Sequence, residues 1–341
     1  MFGSNSYDEP DTHFGSIHRL TADPTMAKHS NPDTVRIAAV QAGAYLMDNA
    51  RTLQTALHYI DEAVSRGAAL ILFPEAFLPG YPRGFSFGAV VGHRSQEGRD
   101  LFARYQAAAL HLDSPEIGRL RKAARQHSVY LAVGIVEKEG RNPRGTLYCT
   151  LLIIDPRGNI IHRHRKLKPT ASERLIWGEG DGISLTTVAT PFGRMGGLIC
   201  WENYMPLARA ALYRSGIDIY LAPTADARDS WQATLQHIAC ESRCFVIGCN
   251  QFVTREHYPE DLQTHPELLQ RGEILCRGGS AILDPFGAYL AGPLYDQPGL
   301  LIADLDLTQI RRARFDFDPA GHYDRPDLFQ FRLKSSRSNG D

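Results

Sequence analysis

The sequence predicts a layered α/β protein with mixed sheets, and two observations lead to this class. Short apolar runs typical of strands alternate with segments in which apolar residues recur at helical spacing. Two Asp-Pro-x-Gly tetrapeptides, at residues 155–158 and 284–287, each lie between two strand-like runs and are typical of hairpin turns. Helical connections favour parallel strands and hairpins give antiparallel ones, so both orientations are expected.

The chain begins with a polar segment that is followed by a strand and a helix. Residues 1–33 are rich in Ser, Asp, Pro, His and Asn without any period, which predicts a disordered leader. Residues 35–40 form an apolar run that predicts the first strand. Apolar side chains at helical spacing over residues 53–64 predict a helix, and Gly67 is its expected C-terminal stop signal.

The next strand leads directly to a carboxylate. Residues 69–73 are apolar throughout, as in a strand covered on both faces, and the run continues into Glu75. Residues 76–112 contain no clear strand, and their Gly, Pro and aromatic content predicts a long loop with a helix near residues 99–110. A long ordered loop after such a carboxylate is more typical of a pocket wall than of a linker.

A hairpin is predicted in the middle of the chain. Apolar spacing over residues 117–124 indicates a helix, and residues 129–133 and 147–154 are strand-like. The first Asp-Pro-x-Gly turn then reverses the chain, so the strand over residues 160–165 should lie beside its predecessor and end at Lys166.

A third strand end carries a thiol, because the run over residues 194–199 is followed by Cys200. Residues 253–272 are polar, contain two prolines and show no period, which predicts a surface loop. The remaining predicted elements are helices near residues 206–215 and 230–243, and strands over residues 217–221, 245–248, 280–283 and 288–291.

Composition excludes several kinds of partner. The 341 residues carry a formal net charge of -1, so no bulk field attracts nucleic acid or an anionic membrane. No apolar run approaches the ~20 residues of a membrane span, and the first thirty residues lack the apolar core of a signal peptide. We therefore expect a soluble, cytoplasmic protein that binds a small, weakly charged molecule.

The cysteines show no metal-binding or disulfide pattern. The six residues lack the paired spacing of a zinc site and the density of a disulfide scaffold, so reduced thiols are expected. His162 and His164 would ligate a metal only with a third ligand from elsewhere, and their basic neighbours disfavour a cation. Residues 178–182 are not a dinucleotide fingerprint, because their acidic residues would repel phosphate. We expect no cofactor and no metal.

Glu75, Lys166 and Cys200 each follow a predicted strand, which is where open α/β sheets place their ligands. A small nucleophile delivered by a strand to a turn follows the logic of the nucleophile elbow. Taken singly, each residue has an ordinary structural explanation: a buried thiol, a surface carboxylate and a lysine in a solvated basic run. Taken together, they predict a site for nucleophilic catalysis.

At these residues the chain resembles the nitrilase superfamily of carbon–nitrogen hydrolases, and its nitrilase branch in particular. The resemblance covers roughly residues 35–333 and is closest to plant-type nitrilases and bacterial arylacetonitrilases. The motifs that carry it are Phe-Pro-Glu-Ala-Phe at 73–77, Gly-Tyr-Pro-Arg-Gly at 80–84, His-Arg-Lys-Leu-Lys-Pro-Thr at 164–170, Glu-Arg-Leu-Ile-Trp-Gly-Glu-Gly-Asp-Gly at 173–182 and Cys-Trp-Glu-Asn at 200–203.

The resemblance implies a four-layer α-β-β-α sandwich, with a catalytic domain over residues 34–320. It also implies a homo-oligomer built from dimers and sometimes extended into spirals or filaments. The C-terminal tail, residues 321–341, is similar to a motif that takes part in subunit contacts in the family.

The resemblance further implies a Glu-Lys-Cys catalytic set. Cys200 would attack as a thiolate, Glu75 would exchange protons, and Lys166 would stabilise the charged intermediates. Glu173 matches a second glutamate of the family, which could hold the lysine or activate water; its ordinary explanation is a helix-surface charge. Residues expected to line the substrate pocket are Tyr81, Trp201, Asn203, Thr224 and Trp231.

Three functions remain open at the level of sequence. The leading one is hydrolysis of an organic nitrile to its carboxylic acid and ammonia, which the Cys-Trp-Glu-Asn and Tyr-Pro-Arg-Gly motifs favour. An amidase or N-carbamoyl hydrolase would use the same residues on a carbonyl carbon. A non-catalytic oligomeric scaffold would keep the fold alone. Which nitrile is hydrolysed does not follow from the residues.

Overall fold

Two β-sheets stack face to face, and helices cover the outer face of each sheet. The computed structural model describes residues 33–140 and 145–334, so the predicted leader lies outside the described residues except for its last position. Successive residues of a strand point to opposite faces of the sheet. In the first strand, Ala38 accordingly belongs to a cluster shared with helices, whereas Ala39 belongs to the cluster between the sheets.

The first sheet has six strands and combines parallel and antiparallel pairs. β1 pairs in parallel with β2, and β2 with β5, whereas β15, β6 and β7 are joined in antiparallel fashion. In spatial order the strands are β15 (Gly299–Asp306), β1 (Thr34–Gln41), β2 (Leu70–Leu72), β5 (Tyr130–Lys138), β6 (Leu147–Ile154) and β7 (Ile160–Arg165).

The second sheet has seven strands, of which β9, β10 and β11 are mutually parallel. The others add to it in antiparallel orientation. Its strands are β12 (Phe252–Thr254), β13 (Ile274–Leu283), β11 (Phe245–Cys249), β10 (Ile219–Pro223), β9 (Gly193–Gly197) and β8 (Val188–Thr190), with β14 (Tyr289–Tyr295) paired to β13. A separate two-stranded ribbon consists of β3 (Ala89–Val90) and β4 (His93–Arg94).

Helices complete the outer layers. The described helices are α1 (Asn49–Ser65), α2 (Gln96–Ala108), α3 (Pro115–His127), α4 (Pro206–Arg214), α5 (Ser230–Ser242), α6 (Glu260–Gln263), α7 (Pro266–Leu269) and α8 (Thr308–Asp316). The Asp48 side chain caps α1 by accepting a hydrogen bond from the Arg51 N–H at 2.9 Å. Gly67 adopts φ +83° just beyond its end, as expected of a helix stop signal.

Three hydrophobic clusters define four layers. One cluster joins the first sheet to α1 and α3, through residues such as Ile60, Leu120 and Leu131. A second joins the other sheet to α4 and α5, through residues such as Leu212 and Leu235. The third lies between the two sheets. This arrangement is the α-β-β-α sandwich that the family resemblance implies, so the predicted fold class is confirmed.

Several elements differ from the predictions. The loop over residues 76–112 contains the ribbon of β3 and β4, which is too short to give a strand pattern. The segment over residues 253–272 was predicted as a surface loop, but it contains α6 and α7 and buries Tyr258, Leu262 and Leu268. In this segment single apolar residues are separated by polar ones, so they show no period, although those three side chains are buried. The strands β8, β12 and β15 and the helix α8 were not predicted.

The described helices include no membrane-spanning segment. Over residues 33–140 and 145–334, none combines the length and the apolar character that crossing a bilayer requires.

Candidate active site

The segment after β2 places Glu75 in a fully buried position between the sheets. Its backbone carbonyl accepts a hydrogen bond from the Gln251 side chain at 3.0 Å, which ties this segment to the second sheet. The two carboxylate oxygens of Glu75 differ. Oε1 accepts from Lys166 Nζ at 2.6 Å and lies 3.6 Å from the Cys149 thiol. Oε2 is buried and has no hydrogen-bond partner among the described residues.

Lys166 directly follows β7, and its side chain is completely buried between two carboxylates. Nζ donates to Glu75 Oε1 at 2.6 Å and to Glu173 Oε2 at 2.7 Å. The backbone is fixed as well, because its N–H donates to the Cys149 carbonyl at 2.8 Å. The ammonium group is therefore held in one position by its side chain and its main chain together.

Glu173 lies in the short 3₁₀ helix Ala171–Leu175, and three donors bind its carboxylate. The Tyr81 hydroxyl donates to Oε1 at 2.6 Å, while Lys166 and the backbone N–H of Thr170 donate to Oε2, the latter at 2.6 Å. Both oxygens of Glu173 are thus occupied, in contrast to Glu75 with its free Oε2. The two glutamates flank one lysine but are not equivalent.

Cys200 begins the 3₁₀ helix Cys200–Tyr204, three residues after β9 ends. Its φ is 53°, in the left-handed region that residues other than glycine seldom adopt, so the backbone is strained at this residue. Such a turn directs the side chain out of the strand, as the predicted nucleophile elbow requires. The Thr224 hydroxyl donates to Sγ at 3.1 Å.

Burial and charge together determine the protonation states. Burial raises the pKa of the Cys200 thiol to about 12, and the neighbouring Glu75 carboxylate adds to the effect. Burial also raises the pKa of Glu75, against the opposing attraction of Lys166. Burial lowers the pKa of Lys166, but Glu75, Cys200 and Glu173 outweigh it and hold that pKa well above its usual value. At neutral pH the resting site therefore contains a neutral thiol and a charged lysine.

A cavity of about 430 Å³ opens beside Cys200. Tyr81, Trp201 and Glu173 are among its lining residues, and the Trp201 indole N–H donates to Asp226 at 2.8 Å. A second cavity of about 450 Å³ shares Tyr81 and Glu173 with the first and adds aromatic side chains, including Trp177. The Tyr81–Glu173 pair therefore lies in the wall common to both cavities.

The structure does not bring every predicted pocket residue to the cavity. Asn203 is fully buried, and its side chain binds the Leu198 and Cys200 carbonyls and the Tyr220 hydroxyl, so it stabilises the turn that carries the cysteine. Trp231 is fully buried in the cluster between the second sheet and its helices. Thr224 contacts the thiol itself. Hydrogen bonds to the turn account for the position of Asn203, and hydrophobic packing accounts for that of Trp231.

Cys149 contacts the site, although it was not predicted. It lies on β6, and the position of this strand in the first sheet brings its thiol to within 3.6 Å of Glu75 Oε1. Sequence gives no signal for this contact, because Cys149 is one apolar residue in an apolar strand. Groups that could hold a metal ion, consisting of three or more His, Cys, Asp or Glu side chains, do not occur in the described ranges of the chain.

Comparison with known proteins gives consistent results. A family model described as carbon-nitrogen hydrolase matches residues 36–315. A bifunctional nitrilase/nitrile hydratase from Nicotiana tabacum is 48% identical over 318 residues, which cover 92% of this chain and 90% of the relative. An aliphatic nitrilase from Sinorhizobium fredii is 48% identical over 295 residues, which cover 86% of this chain and 94% of the relative.

The fold also matches solved structures. A carbon-nitrogen hydrolase from Helicobacter pylori superposes with a TM-score of 0.68, over 87% of this chain and 97% of that one. The two sequences are 19% identical, so this likeness concerns the fold alone.

Proposed function

Because the chain belongs to the carbon-nitrogen hydrolase family, and to its nitrilase branch, we propose that it hydrolyses an organic nitrile to a carboxylic acid and ammonia. The observation that carries the mechanism is the free Oε2 of Glu75, a buried carboxylate oxygen without a hydrogen-bond partner among the described residues, beside a neutral thiol. A thiol with a raised pKa needs a base at the moment of attack.

In the first step, Glu75 accepts the Cys200 proton as the sulfur attacks the nitrile carbon. A carbon–sulfur bond forms, one carbon–nitrogen π bond breaks, and the proton passes to the nitrogen, which gives a thioimidate. Lys166 lies 2.6 Å from Glu75 and stabilises the negative charge that develops during this transfer.

In the second step, water adds to the thioimidate carbon and Glu75 accepts one of its protons. The same carboxylic acid then protonates the nitrogen, which gives a tetrahedral intermediate that carries a hydroxyl and an amino group. Glu75 next transfers the hydroxyl proton to the amino nitrogen, the carbonyl of the thioester forms, and ammonia leaves as the carbon–nitrogen bond breaks. A second water hydrolyses the remaining thioester, releasing the carboxylic acid and restoring the thiol. General acid–base help of this kind contributes about 10²–10⁴-fold to the rate.

Glu173 holds Lys166 rather than activating water in this mechanism. Supporting this role, both of its oxygens already accept hydrogen bonds, from Tyr81, Lys166 and Thr170. A water molecule that needed Glu173 as a base would have to displace one of these donors. Of these two glutamates, Glu75 is the one with an oxygen that accepts no hydrogen bond from any described residue, so that oxygen is available for proton transfer.

The test compares a nitrile with its amide. Phenylacetonitrile and phenylacetamide are incubated with the protein, ammonia is assayed, and the acid and amide are separated by chromatography. Acid and ammonia from the nitrile, with an inert amide, are expected. Ammonia from the amide alone would assign the protein to the amidases, which the nitrilase relatives support less.

The Cys200→Ala variant provides the control. It should release no ammonia while its circular dichroism stays that of the wild type, because the reaction then lacks a nucleophile. A folded wild-type protein that released nothing from any nitrile or amide would support the scaffold alternative.

We further expect self-association into dimers or larger assemblies and activity in the cytoplasm. Free thiols at all six cysteines favour a reducing compartment. Cell fractionation tests the location, and light scattering tests the assembly.

A further inference from the structure

A second buried carboxylate, Glu202, lies beneath the candidate site without lining its cavity. It comes two residues after Cys200 in the same 3₁₀ helix, and its side chain is completely buried. Burial of a carboxylate is costly unless its oxygens are hydrogen-bonded. The groups that donate hydrogen bonds to the Glu202 carboxylate therefore show which parts of the chain it fixes in place.

The donors come from the residues next to the two catalytic candidates. Glu202 Oε2 accepts from the backbone N–H of Ile199 at 2.7 Å, directly before Cys200. Glu202 Oε1 accepts from the backbone N–H of Leu167 at 2.6 Å, directly after Lys166. One carboxylate thus bonds to the backbone on both sides of the site.

These two contacts bridge the two sheets. Lys166 follows β7 of the six-stranded sheet, whereas Cys200 follows β9 of the seven-stranded sheet. The positions of the nucleophile and of the lysine therefore depend on how the sheets meet at this end. Glu202 fixes that junction through charge-assisted hydrogen bonds, which are stronger than neutral ones.

His164 completes the arrangement from β7. Its Nε2 lies 3.1 and 3.0 Å from the two oxygens of Glu202, and its Nδ1 lies 2.8 Å from the Ser184 hydroxyl. The carboxylate accepts, so Nε2 carries the hydrogen. Among the described residues no lysine or arginine pairs with Glu202, so the imidazole is its side-chain partner.

We propose that Glu202, supported by His164, is a positioning residue that sets the placement of Cys200 relative to the Glu75–Lys166 pair. This inference rests on the proposed function, because it concerns the same site. Glu202 touches no reacting atom, so it acts on the rate of attack through the backbone. A displacement of about 1 Å in such a geometry can cost about 10²-fold in rate.

The matched control is Glu137, which is also almost completely buried and also binds β7. Its carboxylate accepts from the Arg163 and Arg165 side chains and from the Thr150 hydroxyl. It therefore resembles Glu202 in burial and charge but does not bind the backbone beside Lys166 or Cys200. Glu137→Gln reports the cost of neutralising a buried carboxylate as such.

The experiment compares Glu202→Gln with Glu137→Gln in the full-length enzyme. For Glu202→Gln, kcat should fall about 10²-fold with little change in KM, because one backbone donor then faces an amide N–H while the cavity is intact. Iodoacetamide should alkylate Cys200 more slowly by a similar factor, measured on the Cys200 peptide by mass spectrometry. Glu137→Gln should lower the melting temperature with both rates within about twofold of the wild type.

A pair of variants at His164 tests the support directly. A glutamine amide nitrogen can replace Nε2, whereas an asparagine nitrogen replaces Nδ1 and does not reach Glu202. His164→Gln should therefore keep most of kcat and of the alkylation rate, and His164→Asn should lose both. This pair decides the proposal if Glu202→Gln does not fold.

Three results would overturn the inference. The first is a folded Glu202→Gln enzyme with wild-type kcat and alkylation rate. The second is equal loss of both rates in Glu202→Gln and Glu137→Gln, and the third is equal loss in the two His164 variants. Because alkylation needs no nitrile, it decides the positioning role even if the wild type hydrolyses none. Failure of the proposed function is thereby separated from failure of this inference.

Discussion

At the scale of single residues, the difference between Glu75 and Glu173 supports the roles proposed for them. Both carboxylates bind Lys166, yet both oxygens of Glu173 accept hydrogen bonds, whereas one oxygen of Glu75 has no partner in the part of the chain that the structure describes. A proton acceptor needs a free oxygen, whereas a group that holds a lysine does not. The hydrogen bonds therefore distinguish Glu75 from Glu173, although the two carboxylates have the same charge and are both buried.

The Glu75→Gln variant tests the role of the base. Glutamine keeps the shape of the side chain and can accept from Lys166, but it cannot take up the thiol proton. We expect kcat/KM to fall about 10²–10⁴-fold. The control is Glu179→Gln, because the Glu179 side chain is exposed and pairs with Lys168 at the surface. Nitrile hydrolysis is compared in the two variants, and wild-type activity in Glu75→Gln would exclude Glu75 as the base.

The pH dependence of activity follows from the burial of Glu75. Burial raises its pKa, and the base must be ionised to accept the thiol proton. Activity should therefore fall as the pH decreases through this raised value, with the acid limb of kcat/KM above about 4.3, the ordinary value for glutamate. A limb at or below that value would contradict the assignment.

The sequence predicted the catalytic candidates, which follow strands, but it did not predict the buried contact that joins the segments carrying them. Glu75, Lys166 and Cys200 are recognisable because each follows an apolar run at a position where side chains converge. Their catalytic roles stay predictions. The contact between His164 and Glu202 was not predicted, since nothing in the chain between them indicates that a strand and a 3₁₀ helix meet in space.

At the scale of elements, a glycine on β5 makes room for the segment that carries Glu75. A Cβ at Gly134 would lie 2.1 Å from the Pro74 carbonyl oxygen and 2.8 Å from Glu75 Cα. Both atoms are backbone, so the segment itself would have to move. We expect Gly134→Ala to lower kcat by about 10²-fold, through misplacement of the carboxylate.

The control for Gly134→Ala is another glycine that becomes alanine. Gly118 lies in α3, and apart from the neighbouring backbone of that helix no described residue comes within 4 Å of the position that a Cβ would take. Gly118→Ala should keep full activity and raise stability by up to about 1 kcal/mol, because alanine is the better helix former. Steady-state kinetics and thermal unfolding of both variants check the pair; similar activity in both would show that the segment tolerates the Cβ.

The strand β7 also carries a buried histidine that makes the fold sensitive to acid. Burial, and then the neighbouring His164, lower the pKa of His162 to about 4. The unfolded chain binds a proton near pH 6.5, so between these values it holds more protons than the folded protein. Stability should therefore be lost as the pH falls from about 6.5 towards 4, by up to about 3 kcal/mol.

The His162→Leu variant measures this contribution. Its melting temperature should fall less than that of the wild type between pH 7.5 and pH 5, because no proton is taken up at this position on unfolding. His58 is exposed on α1, and His58→Leu should keep the wild-type dependence. Equal acid sensitivity in His162→Leu and the wild type would assign the effect to other groups.

Prediction of the elements succeeded where the pattern is local. Apolar spacing and turn signals predict the strand over residues 160–165 and the helix near residues 206–215. The structure confirms both, as β7 and α4. β15 was not predicted, and its main support is antiparallel pairing with β1 at the other end of the chain. Such pairing depends on residues far apart in sequence, which no local pattern reports.

At the scale of the whole molecule, the site exists only because two sheets face each other. Glu75 and Lys166 follow strands of one sheet, and Cys200 follows a strand of the other. Strand ends alone predict that these residues share an edge, but composition and periodicity do not determine how the sheets stack. The family resemblance supplied that step, and the clusters on both sides of each sheet confirm it.

In the described part of the C-terminal tail, some side chains contact the rest of the molecule and neighbouring apolar side chains remain exposed. The Arg214 guanidinium pairs with Asp324 at 2.7 Å and lies 5.6 Å from the ring centroid of Phe331, which packs against the cluster around α4 and α5. Leu328 and Phe329, by contrast, are 62% and 69% exposed. Neighbouring exposed apolar side chains in an anchored segment are typical of an interface.

We therefore expect Phe329→Glu to weaken self-association, because a charge buried at a subunit contact without a partner is costly. The adjacent and exposed Gln330→Glu adds the same charge without removing an apolar side chain, so it should keep the wild-type assembly. Light scattering after gel filtration, over a range of protein concentrations, gives the mass of each variant. An unchanged mass for Phe329→Glu would place the subunit contacts away from this part of the tail.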